Sequence, residues 1–561
     1  MSKRNNPQRE AERKEIALGQ TEAQGIENHL KSPTLMMMVL IAVIGSLLYA
    51  SFLYNPANRG DFLPYLLVII AESFLLGQAL LSLWTILASG YDPRSFEFHN
   101  AQSSLYKAGP GKAVGSVDES KLYNSKLAMY LKKKQIRVDV FITTFGEDLD
   151  IIRQTVEAAR NMMGRHTTYI LDDGKSDDVW KLADDLHVGY IRRVGNEGAK
   201  AGNLNFALAQ TKGDFFVIFD ADFVPSELFL YETIPFFENE NIAFVQTPQH
   251  YNNLENLISK GAGYMQHLFY ALIQPGKNRF NAAFCVGTNV VFRRSAVDNI
   301  GGLYQKSKSE DIWTSILLHE KGYESVYIPN ILALGKTPDT IKAYSKQQLR
   351  WATGGFEILL HHNPLSRKRN LTVDQRLQYF GTTVYYFNGI AALFLLLLPP
   401  LQIFFNLTPV NLHISVVKWA VYYSGFYIMQ ILVAFYTMGG FRLETLMLAN
   451  SSFPIYTKAF FNALFRREKA WQATGRVDKH DSPFNYIIPQ VLFFIFLLGT
   501  SIVGYWKSTY TQQFSLSLFW NGINTVVLGS FIIVAFRESG RLRRLNKLRH
   551  FKATESEVET A

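Results

Sequence analysis

The stretch FFVIFDAD, residues 215–222, decides the fold of the water-soluble part of the chain. Its five consecutive apolar residues are typical of a strand buried on both faces, and the acidic triplet after them marks where that strand ends. In a parallel sheet, ligands bind beyond the carboxyl ends of the strands. Asp220 and Asp222 are therefore candidates to hold a divalent cation and a diphosphate, because carboxylates are hard oxygen ligands. A D-x-D triplet alone is more often a surface turn, and its position at the end of an apolar strand makes the functional interpretation about equally favoured.

Two strand-and-helix units precede this stretch. Residues 137–144 (RVDVFITT) predict a strand before a helix over 148–162, and residues 168–171 predict a strand before a helix over 177–186. Alternating strands and helices with short loops indicate a mostly parallel α/β sheet. Neither a G-x-G-x-x-G after the first strand nor a P-loop motif is present. Polar residues stand at the strand ends instead, among them Thr143, Thr144, Glu147, Asp172 and Asp173.

Much of the remaining chain is apolar. The 561 residues are 48% hydrophobic and 19% charged, and their mean hydropathy of zero averages long uncharged stretches with a charged block. A membrane-spanning helix needs about 20 apolar residues. Six segments approach that length, namely 35–54, 63–88, 379–405, 414–438, 486–506 and 515–536.

The basic residues predict the orientation of these spans. The three loops predicted outside, 55–62, 406–413 and 507–514, contain only Arg59 and Lys507 as basic residues, whereas the segments predicted inside are rich in Lys and Arg. The net charge of +10 thus reflects topology and contact with anionic lipid, and it does not indicate a nucleic-acid partner. The 14% aromatic content argues against a disordered chain, and a single cysteine, Cys285, excludes an internal disulfide.

The predicted organisation alternates membrane and cytoplasmic parts, with both termini in the cytoplasm of a multi-pass protein of the plasma (inner) membrane. Residues 441–465 are amphipathic and predict a helix on the membrane surface. In order, we expect a disordered N-terminus over 1–34, two spans over 35–88, the α/β domain over 89–378, two spans over 379–438, an interface helix and loop over 439–484, two spans over 485–536 and a basic tail over 537–561.

Two further motifs follow the acidic triplet. Ser309, Glu310 and Asp311 open a helical run, where acidic residues are also ordinary N-terminal caps. Residues 346–351 (KQQLRW) form an amphipathic stretch before the third span, where Arg and Trp could equally mark the membrane interface.

Together these residues resemble a known signature. Asp173, Asp220-Ala221-Asp222, Glu310-Asp311 and Gln347-x-x-Arg350-Trp351 follow the order D, D-x-D, [TE]-D, Q-x-x-R-W of processive family 2 glycosyltransferases, which include cellulose, chitin, hyaluronan and curdlan synthases. Residues 198–205 (GAKAGNLN) resemble a further segment of that family. The resemblance covers about residues 138–490 and implies a nucleotide-sugar-binding domain inserted among membrane helices.

The resemblance also implies a role for each matching residue. Uridine of a UDP-sugar would contact Thr144, Glu147 and Asp173, with Lys200 also on the substrate, while Asp220 and Asp222 would hold Mg²⁺ or Mn²⁺ with the diphosphate. Asp311 would be the general base of an inverting transfer, beside Glu310. The remaining substrate contacts would be Gln347 and Arg350 on the diphosphate, Trp351 under the terminal sugar, and Thr474 in residues 471–476 (WQATGR), which resemble a gating loop only in part.

The function implied is a processive synthase that polymerises a UDP-sugar, first of all UDP-glucose, into a β-linked polysaccharide and moves it across the membrane. Hyaluronan-type or N-acetylglucosamine polymers stay open. A single transfer to polyprenyl phosphate is an alternative that predicts D-x-D without Q-x-x-R-W, so Arg350 and Trp351 argue against it. A transporter with a nucleotide-sensing domain gives no reason for Asp311 beside a metal site. The polar residues inside the spans, Asn388, Gln430, Gln490, Asn521 and Asn524, are compatible with a saccharide path or with interhelical hydrogen bonds. Accessory secretion subunits also stay open.

Overall fold

The computed structural model describes residues 32–106, 126–411, 415–438, 440, 442–466, 482–512 and 515–559. Most of the predicted N-terminal segment over 1–34 lies outside these residues. The predicted gating loop with Thr474 lies outside them as well.

A seven-stranded sheet forms the centre of the α/β domain, and two small sheets accompany it. The strands of the chain are β1 (Met129–Leu131), β2 (Lys134–Ile136), β3 (Val138–Thr144), β4 (His166–Asp172), β5 (Gly189–Ile191), β6 (Phe215–Asp220), β7 (Val224–Pro225), β8 (Ile242–Gln246), β9 (His250–Tyr251), β10 (Val290–Arg293), β11 (Glu324–Tyr327) and β12 (Ala333–Gly335). The order in the large sheet is β11-β8-β10-β6-β3-β4-β5. Only β10 runs antiparallel to its neighbours there, so the predicted mostly parallel sheet is confirmed.

The parallel register of β3, β4 and β6 brings their carboxyl ends to one edge of the sheet. Thr143 pairs with Leu171 and Asp220, and Thr144 pairs with Asp172. The predicted polar residues therefore gather at that edge.

Helices cover both faces of this sheet. The first two helices of the chain are α1 (Pro33–Leu53) and α2 (Phe62–Leu87). The helices that follow, up to residue 361, are α3 (Phe96–Ser104), α4 (Leu149–Arg160), α5 (Asp177–Asp185), α6 (Ala199–Leu208), α7 (Phe229–Thr233), α8 (Leu257–Leu268), α9 (Gln274–Arg279), α10 (Arg294–Asn299), α11 (Glu310–Glu320) and α12 (Ile341–His361). Alternate residues of β3 point to opposite faces, as the pleat requires. Val140 and Ile142 pack with Ile152 of α4, whereas Phe141 packs with Leu204 of α6.

Five described segments are long and apolar enough to cross a membrane, namely Pro33–Leu53, Phe62–Leu87, Val373–Phe405, Ile488–Thr511 and Leu516–Arg544. They correspond to the first, second, third, fifth and sixth predicted spans. The fourth predicted span forms α15 (Val416–Met438), a helix of 23 residues that is not among the five. Six spans therefore stay a prediction.

The third span is not one straight helix. It comprises α13 (Val373–Val384), a 3₁₀ turn over Tyr385–Phe387 and α14 (Asn388–Phe405). The sequence pattern missed this break, and the helix also begins six residues before the predicted start because the capping box of Thr372 and Gln375 sets its N-terminus.

The amphipathic segment forms two helices, α16 (Leu443–Ser451) and α17 (Phe453–Leu464), instead of the single predicted one. The last two helices are α18 (Ile488–Thr511) and α19 (Leu516–Glu559), so the predicted basic tail continues the last membrane helix without a break through Glu559.

Two of the amides in the spans make interhelical hydrogen bonds. Gln490 donates to the carbonyl of Ser451 at 2.9 Å, and Asn521 donates to the carbonyl of Leu497 and to Ser501 Oγ, both at 2.8 Å. These contacts favour helix association over a saccharide lining for both residues.

Candidate active site

The loop after β4 is organised by Asp172, which is fully buried. Its Oδ1 accepts hydrogen bonds from the backbone amides of Gly174 at 2.8 Å and Lys175 at 3.0 Å, and its Oδ2 accepts one from Ser176 N at 2.8 Å. Tyr190 Oη also donates to Oδ2 at 2.8 Å. Asp172 thereby shapes the turn that presents its neighbour Asp173.

Asp173 forms a buried, bidentate ion pair with Arg193. The Nε and Nη2 atoms of Arg193 lie 2.6 and 2.7 Å from the two carboxylate oxygens of Asp173. Arg193 also donates to the carbonyls of Glu197 at 2.6 Å and Ala199 at 2.8 Å. Thr144, which is buried nearby, directs its hydroxyl at Asp172 Oδ1 and at the carbonyl of Leu171, both at 3.4 Å.

The segment GAKAGNLN is built around these contacts. Gly198 has a φ of +68°, which allows the turn that starts α6. A Cβ on Gly202 would collide with the carbonyl of Glu197 and lie 2.6 Å from Arg193 Nη1. Asn203 donates to the carbonyl of Leu171 at 3.1 Å and so ties α6 to β4.

Lys200 links the first turn of α6 to the acidic triplet. Its ammonium contacts Asp220 Oδ1 and donates to the carbonyl of Gly287 at 2.8 Å. Thr143 Oγ1 lies 3.2 Å from the same Asp220 oxygen, and Thr288 Oγ1 accepts from Asp220 N at 2.9 Å. Four separate parts of the chain thus meet at Asp220.

Asp222 and Glu147 are two further carboxylates close to Asp220, which contacts the ammonium of Lys200. Asp222 is surrounded by protein although part of its surface stays open, and burial together with the charges of Asp220 and Glu147 raises its pKa to about 7. Burial also raises the pKa of Glu147, whose Oε2 accepts from Phe145 N at 2.6 Å. The mutual repulsion of these carboxylates would be relieved by a bound cation.

The carboxylates of Asp220 and Asp222 suit a metal ion whose remaining coordination positions are filled by substrate and water. Among the described residues, no group of three or more His, Cys, Asp and Glu side chains is arranged to hold a metal ion alone. Mg²⁺ typically takes one or two protein carboxylates and completes its octahedral shell with phosphates and water. Asp220 and Asp222 meet that requirement.

Asp311 faces the same point from α11. A Cβ on Gly287, whose φ is +86°, would lie 3.4 Å from Asp311 Oδ2 and 3.9 Å from Lys200 Nζ. Burial and the charge of the adjacent Glu310 raise the pKa of Asp311. Asp311 is thus a carboxyl group of raised pKa at the edge of the Asp220 cluster, a property typical of acid–base groups.

Helix α12 carries the Q-x-x-R-W residues and adjoins the start of α11. It packs at Gly354 directly against Ser309, and Glu357 accepts from Ser307 Oγ at 3.1 Å and from Lys308 N at 3.2 Å. These contacts fix the helix beside the start of α11.

The motif residues on α12 contribute charge and polarity to the site. The charge of Arg350 acts to lower the pKa values of both Glu310 and Asp311, against the larger effect of burial. Gln347 Oε1 is buried without a hydrogen-bond partner, so it is available to a ligand hydroxyl. Trp351 is half-buried.

The structure therefore gathers two groups of predicted residues. Asp220, Asp222, Glu147 and Lys200 share one cluster, and Glu310, Asp311 and Arg350 adjoin it. Asp173 and Thr144 lie at the neighbouring strand end. The sequence reasoning missed Arg193 and Glu357, which position predicted residues; the only sequence signal for Arg193 was a basic pair seven residues before Lys200.

A mostly parallel α/β domain with this acidic edge, joined to apolar helices, is compatible with a membrane-associated glycosyltransferase, and comparison with known proteins supports that class. Residues 215–438 match the model of "Glycosyl transferase family group 2". Together with the relatives described next, this match confirms the resemblance to processive family 2 glycosyltransferases of the cellulose synthase kind.

Curated relatives agree with this classification. The UDP-forming cellulose synthase catalytic subunit of Xanthomonas axonopodis pv. citri (strain 306) is 34% identical over 262 residues, which are 45% of this chain and 36% of the relative. The cellulose synthase 1 catalytic subunit (UDP-forming) of Komagataeibacter xylinus is 34% identical over 278 residues, which are 48% of this chain and 37% of the relative. Each alignment therefore spans little more than a third of the relative's length.

Solved structures give weaker likenesses. The mannosyltransferase PcManGT from Pyrobaculum calidifontis, in complex with GDP-Man and Mn²⁺, is 15% identical with a TM-score of 0.46, covering 72% of this chain and all of that chain. Residues 1–349 of S. aureus TarS are 11% identical with a TM-score of 0.32, covering 61% and 95%. Both scores are too low to inform on ligands.

Proposed function

We propose that the protein is a processive, inverting glycosyltransferase that polymerises a UDP-sugar, first of all UDP-glucose, into a β-linked polysaccharide such as a β-glucan. It would work at the plasma membrane, with its α/β domain in the cytoplasm, and pass the product across the bilayer. The observation that carries the proposal is the meeting of Asp220, Lys200 and Asp311 around Gly287. The identity to subunits named as UDP-forming cellulose synthases supports the same class.

The donor would lie along the carboxyl edge of the sheet. Asp173 and Thr144 at the end of β4 and β3, with Glu147 beyond them, would receive the uridine. Asp220 and Asp222 would hold Mg²⁺ or Mn²⁺, which neutralises diphosphate charge when bound. Lys200, already between Asp220 and the Gly287 carbonyl, would add a second positive charge near the same phosphates.

Asp311 would act as the general base. In an inverting transfer, one carboxylate removes the proton of the acceptor hydroxyl while that oxygen attacks the anomeric carbon opposite the departing UDP. A base works best when its pKa lies near the working pH, and burial beside Glu310 moves Asp311 in that direction. The position across Gly287 from Lys200 supports a base on the acceptor side of the cluster.

Helix α12 would serve both substrates. The planar guanidinium of Arg350 suits phosphate oxygens of the leaving UDP, and Gln347 offers its unpartnered oxygen to a hydroxyl. Trp351 would support the terminal sugar through its ring face. Thr474, by resemblance, would contact the donor from a gating loop.

The polymer path would begin beside α12, where aromatic residues from several helices meet. At the break in the third span, Tyr385 is 43% exposed, and its ring lies 5.2 Å from that of Tyr386, which lies 6.4 Å from Phe356 of α12. The buried Tyr344 and Tyr456, which bond to Ser452 and Gln348, tie the surrounding helices together. Hydroxyl-bearing rings suit a sugar chain with both apolar faces and hydroxyl groups.

The test is a donor panel. Membranes with the full chain, Mg²⁺ or Mn²⁺ and labelled UDP-glucose, UDP-N-acetylglucosamine or UDP-glucuronic acid should give product of high molecular weight from one or two donors. Incorporation that requires UDP-N-acetylglucosamine would indicate the hyaluronan or N-acetylglucosamine alternatives. A lipid-linked monosaccharide as the sole product would overturn processivity and favour the polyprenyl-phosphate alternative. Asp311→Asn membranes serve as the matched control for background enzymes.

A further inference from the structure

Arg193 is not part of the acidic motifs, yet it contacts both sides of the donor site. Two of its nitrogens hold both oxygens of Asp173, and the guanidinium also donates to the carbonyls of Glu197 and Ala199, the second of which immediately precedes Lys200. Both Arg193 and Asp173 are more than nine-tenths buried.

We propose that Arg193 is a positioning residue for the nucleotide donor, which fixes Asp173 on the base side and the Lys200 segment on the diphosphate side relative to each other. The proposal rests on the proposed function, because it assumes a nucleotide in this site. It names a residue that would set donor binding without touching the donor.

The geometry of the ion pair leaves Asp173 competent to bind. Each carboxylate oxygen has two lone pairs, and each gives one to Arg193. The remaining lone pairs have a fixed direction, because the guanidinium is planar and grips both oxygens. Asp173 can therefore accept from an N–H group of a base in one orientation only.

The second half of the argument concerns the start of α6. Lys200 follows directly on Ala199, whose carbonyl Arg193 holds at 2.8 Å, and the ammonium of Lys200 reaches Asp220. Gly202 leaves the space that Arg193 occupies, since a Cβ there would lie 2.6 Å from Nη1. The absence of a side chain at position 202 is thus matched to the arginine.

Arg192 provides a matched control in the adjacent position. It is partly exposed and donates to Tyr190 Oη at 2.6 Å and to Asp177 at 3.0 Å. Its Nη2 also lies 3.9 Å from Asp172 Oδ2, a long contact beside the five hydrogen bonds that this carboxylate accepts. Replacement of Arg192 removes the same charge from the chain but none of the contacts that Arg193 makes with Asp173, Glu197 and Ala199.

The experiment measures UDP binding to the purified full chain by calorimetry in excess Mn²⁺. The proteins compared are the wild type, Arg193→Lys, Arg193→Gln, Asp173→Asn, the double variant Arg193→Gln/Asp173→Asn and Arg192→Gln. We expect Kd for UDP to rise about 10- to 100-fold in Arg193→Lys, because lysine keeps the charge and loses the fork. The double variant should bind no more weakly than Arg193→Gln alone, and Arg192→Gln should match the wild type.

Wild-type affinity in Arg193→Lys would overturn the proposal, since charge alone would then suffice. Strictly additive losses in the double variant would also overturn it, because the two residues would act independently. Should Arg193→Gln not fold, as thermal melting would reveal, Arg193→Lys decides. A wild-type chain that binds no UDP would instead refute the proposed function.

Discussion

Two acidic loops lie side by side at the same edge of the sheet, and they are built in opposite ways. In the loop after β4, Asp172 accepts five hydrogen bonds and Asp173 forms a bidentate ion pair with Arg193. In the loop after β6, Asp220 shares one ammonium with the Gly287 carbonyl, and Asp222 stands among like charges that help raise its pKa to about 7.

We call the loop after β4, with Asp172 and Asp173, the frame loop, because its carboxylates are held by protein groups. We call the loop after β6, with Asp220 and Asp222, the receptive site, because its carboxylates lack enough positive partners. Carboxylates whose partners are all within the protein stabilise the fold and hold position. Carboxylates that repel one another at a partly open site are stabilised when a cation binds between them, and a metal ion that arrives with the substrate can do this. Substitutions in the two loops should therefore fail in different ways.

The largest effect is expected at Asp311, which adjoins the receptive site. Asp311→Asn should lower turnover by at least about 10³-fold, because the proton acceptor is lost, while UDP affinity changes little. Turnover by initial rate and UDP binding by calorimetry separate the two. Asp177→Asn, on an exposed carboxylate of α5, is the control. Turnover that survives in Asp311→Asn would refute the base assignment.

Metal removal should have the next largest effect. A chelator should abolish activity and added Mg²⁺ or Mn²⁺ should restore it, while Asp222→Asn should lower activity about 100-fold at saturating metal. Without metal, Asp222→Asn should melt no lower than the wild type, because it removes a repelled charge. A marked drop in its melting temperature would assign Asp222 to the frame instead.

The pH profile sharpens the same contrast. Asp311 must be ionised to act as a base, and its raised pKa means that activity should fall as pH decreases through a value well above about 4, the ordinary carboxylate range. Glu310→Gln should move this acidic limb to lower pH, since the Glu310 charge contributes to the shift. An acidic limb that Glu310→Gln leaves in place would contradict the assignment.

At Asp172, in the loop after β4, a substitution should affect the stability of the fold more than the rate of the reaction. Asp172→Ala should lower the free energy of unfolding by about 2–3 kcal/mol, because three backbone amides and the Tyr190 hydroxyl lose their acceptor. Thermal melting measures the loss, and activity per folded molecule should fall by much less than in Asp222→Asn. Equal losses of activity in the two variants would erase the distinction between the loops.

The smallest effect is expected for Tyr190→Phe. It removes one of the five hydrogen bonds to Asp172 and should cost about 1 kcal/mol in the free energy of unfolding, with activity close to that of the wild type. Denaturant unfolding provides the measurement. A loss of activity without a loss of stability would place Tyr190 in the receptive site.

Much of the central sheet was predictable from the local sequence pattern. The apolar run before Asp220 predicted β6 to within one residue, and the strands that became β3 and β4 were predicted to within two residues or fewer. Parallel pairing then brought the acidic residues together without further information. The positions of Asp220 and Asp173 at one edge follow from strand order alone.

Contacts between distant side chains were not predictable. Arg193 lies 20 residues from Asp173, and Glu357 lies 50 residues from Ser307, so no periodicity links either pair. The hydrogen bond of Gln490 to Ser451 depends on how two helices pack, which hydropathy does not encode. Hydropathy likewise marked the third span but not its break at Tyr385–Phe387.

The most direct test of the central claim is the structure of the product made from labelled UDP-glucose by the wild-type chain. A base on the acceptor side, acting opposite the leaving UDP, predicts inversion from the α-linked donor to a β-linked polymer. Linkage analysis, with digestion by β-specific and α-specific glucanases, should then show a long chain cleaved only by the β-specific enzyme. An α-linked product, or one sugar on a lipid carrier, would contradict the account.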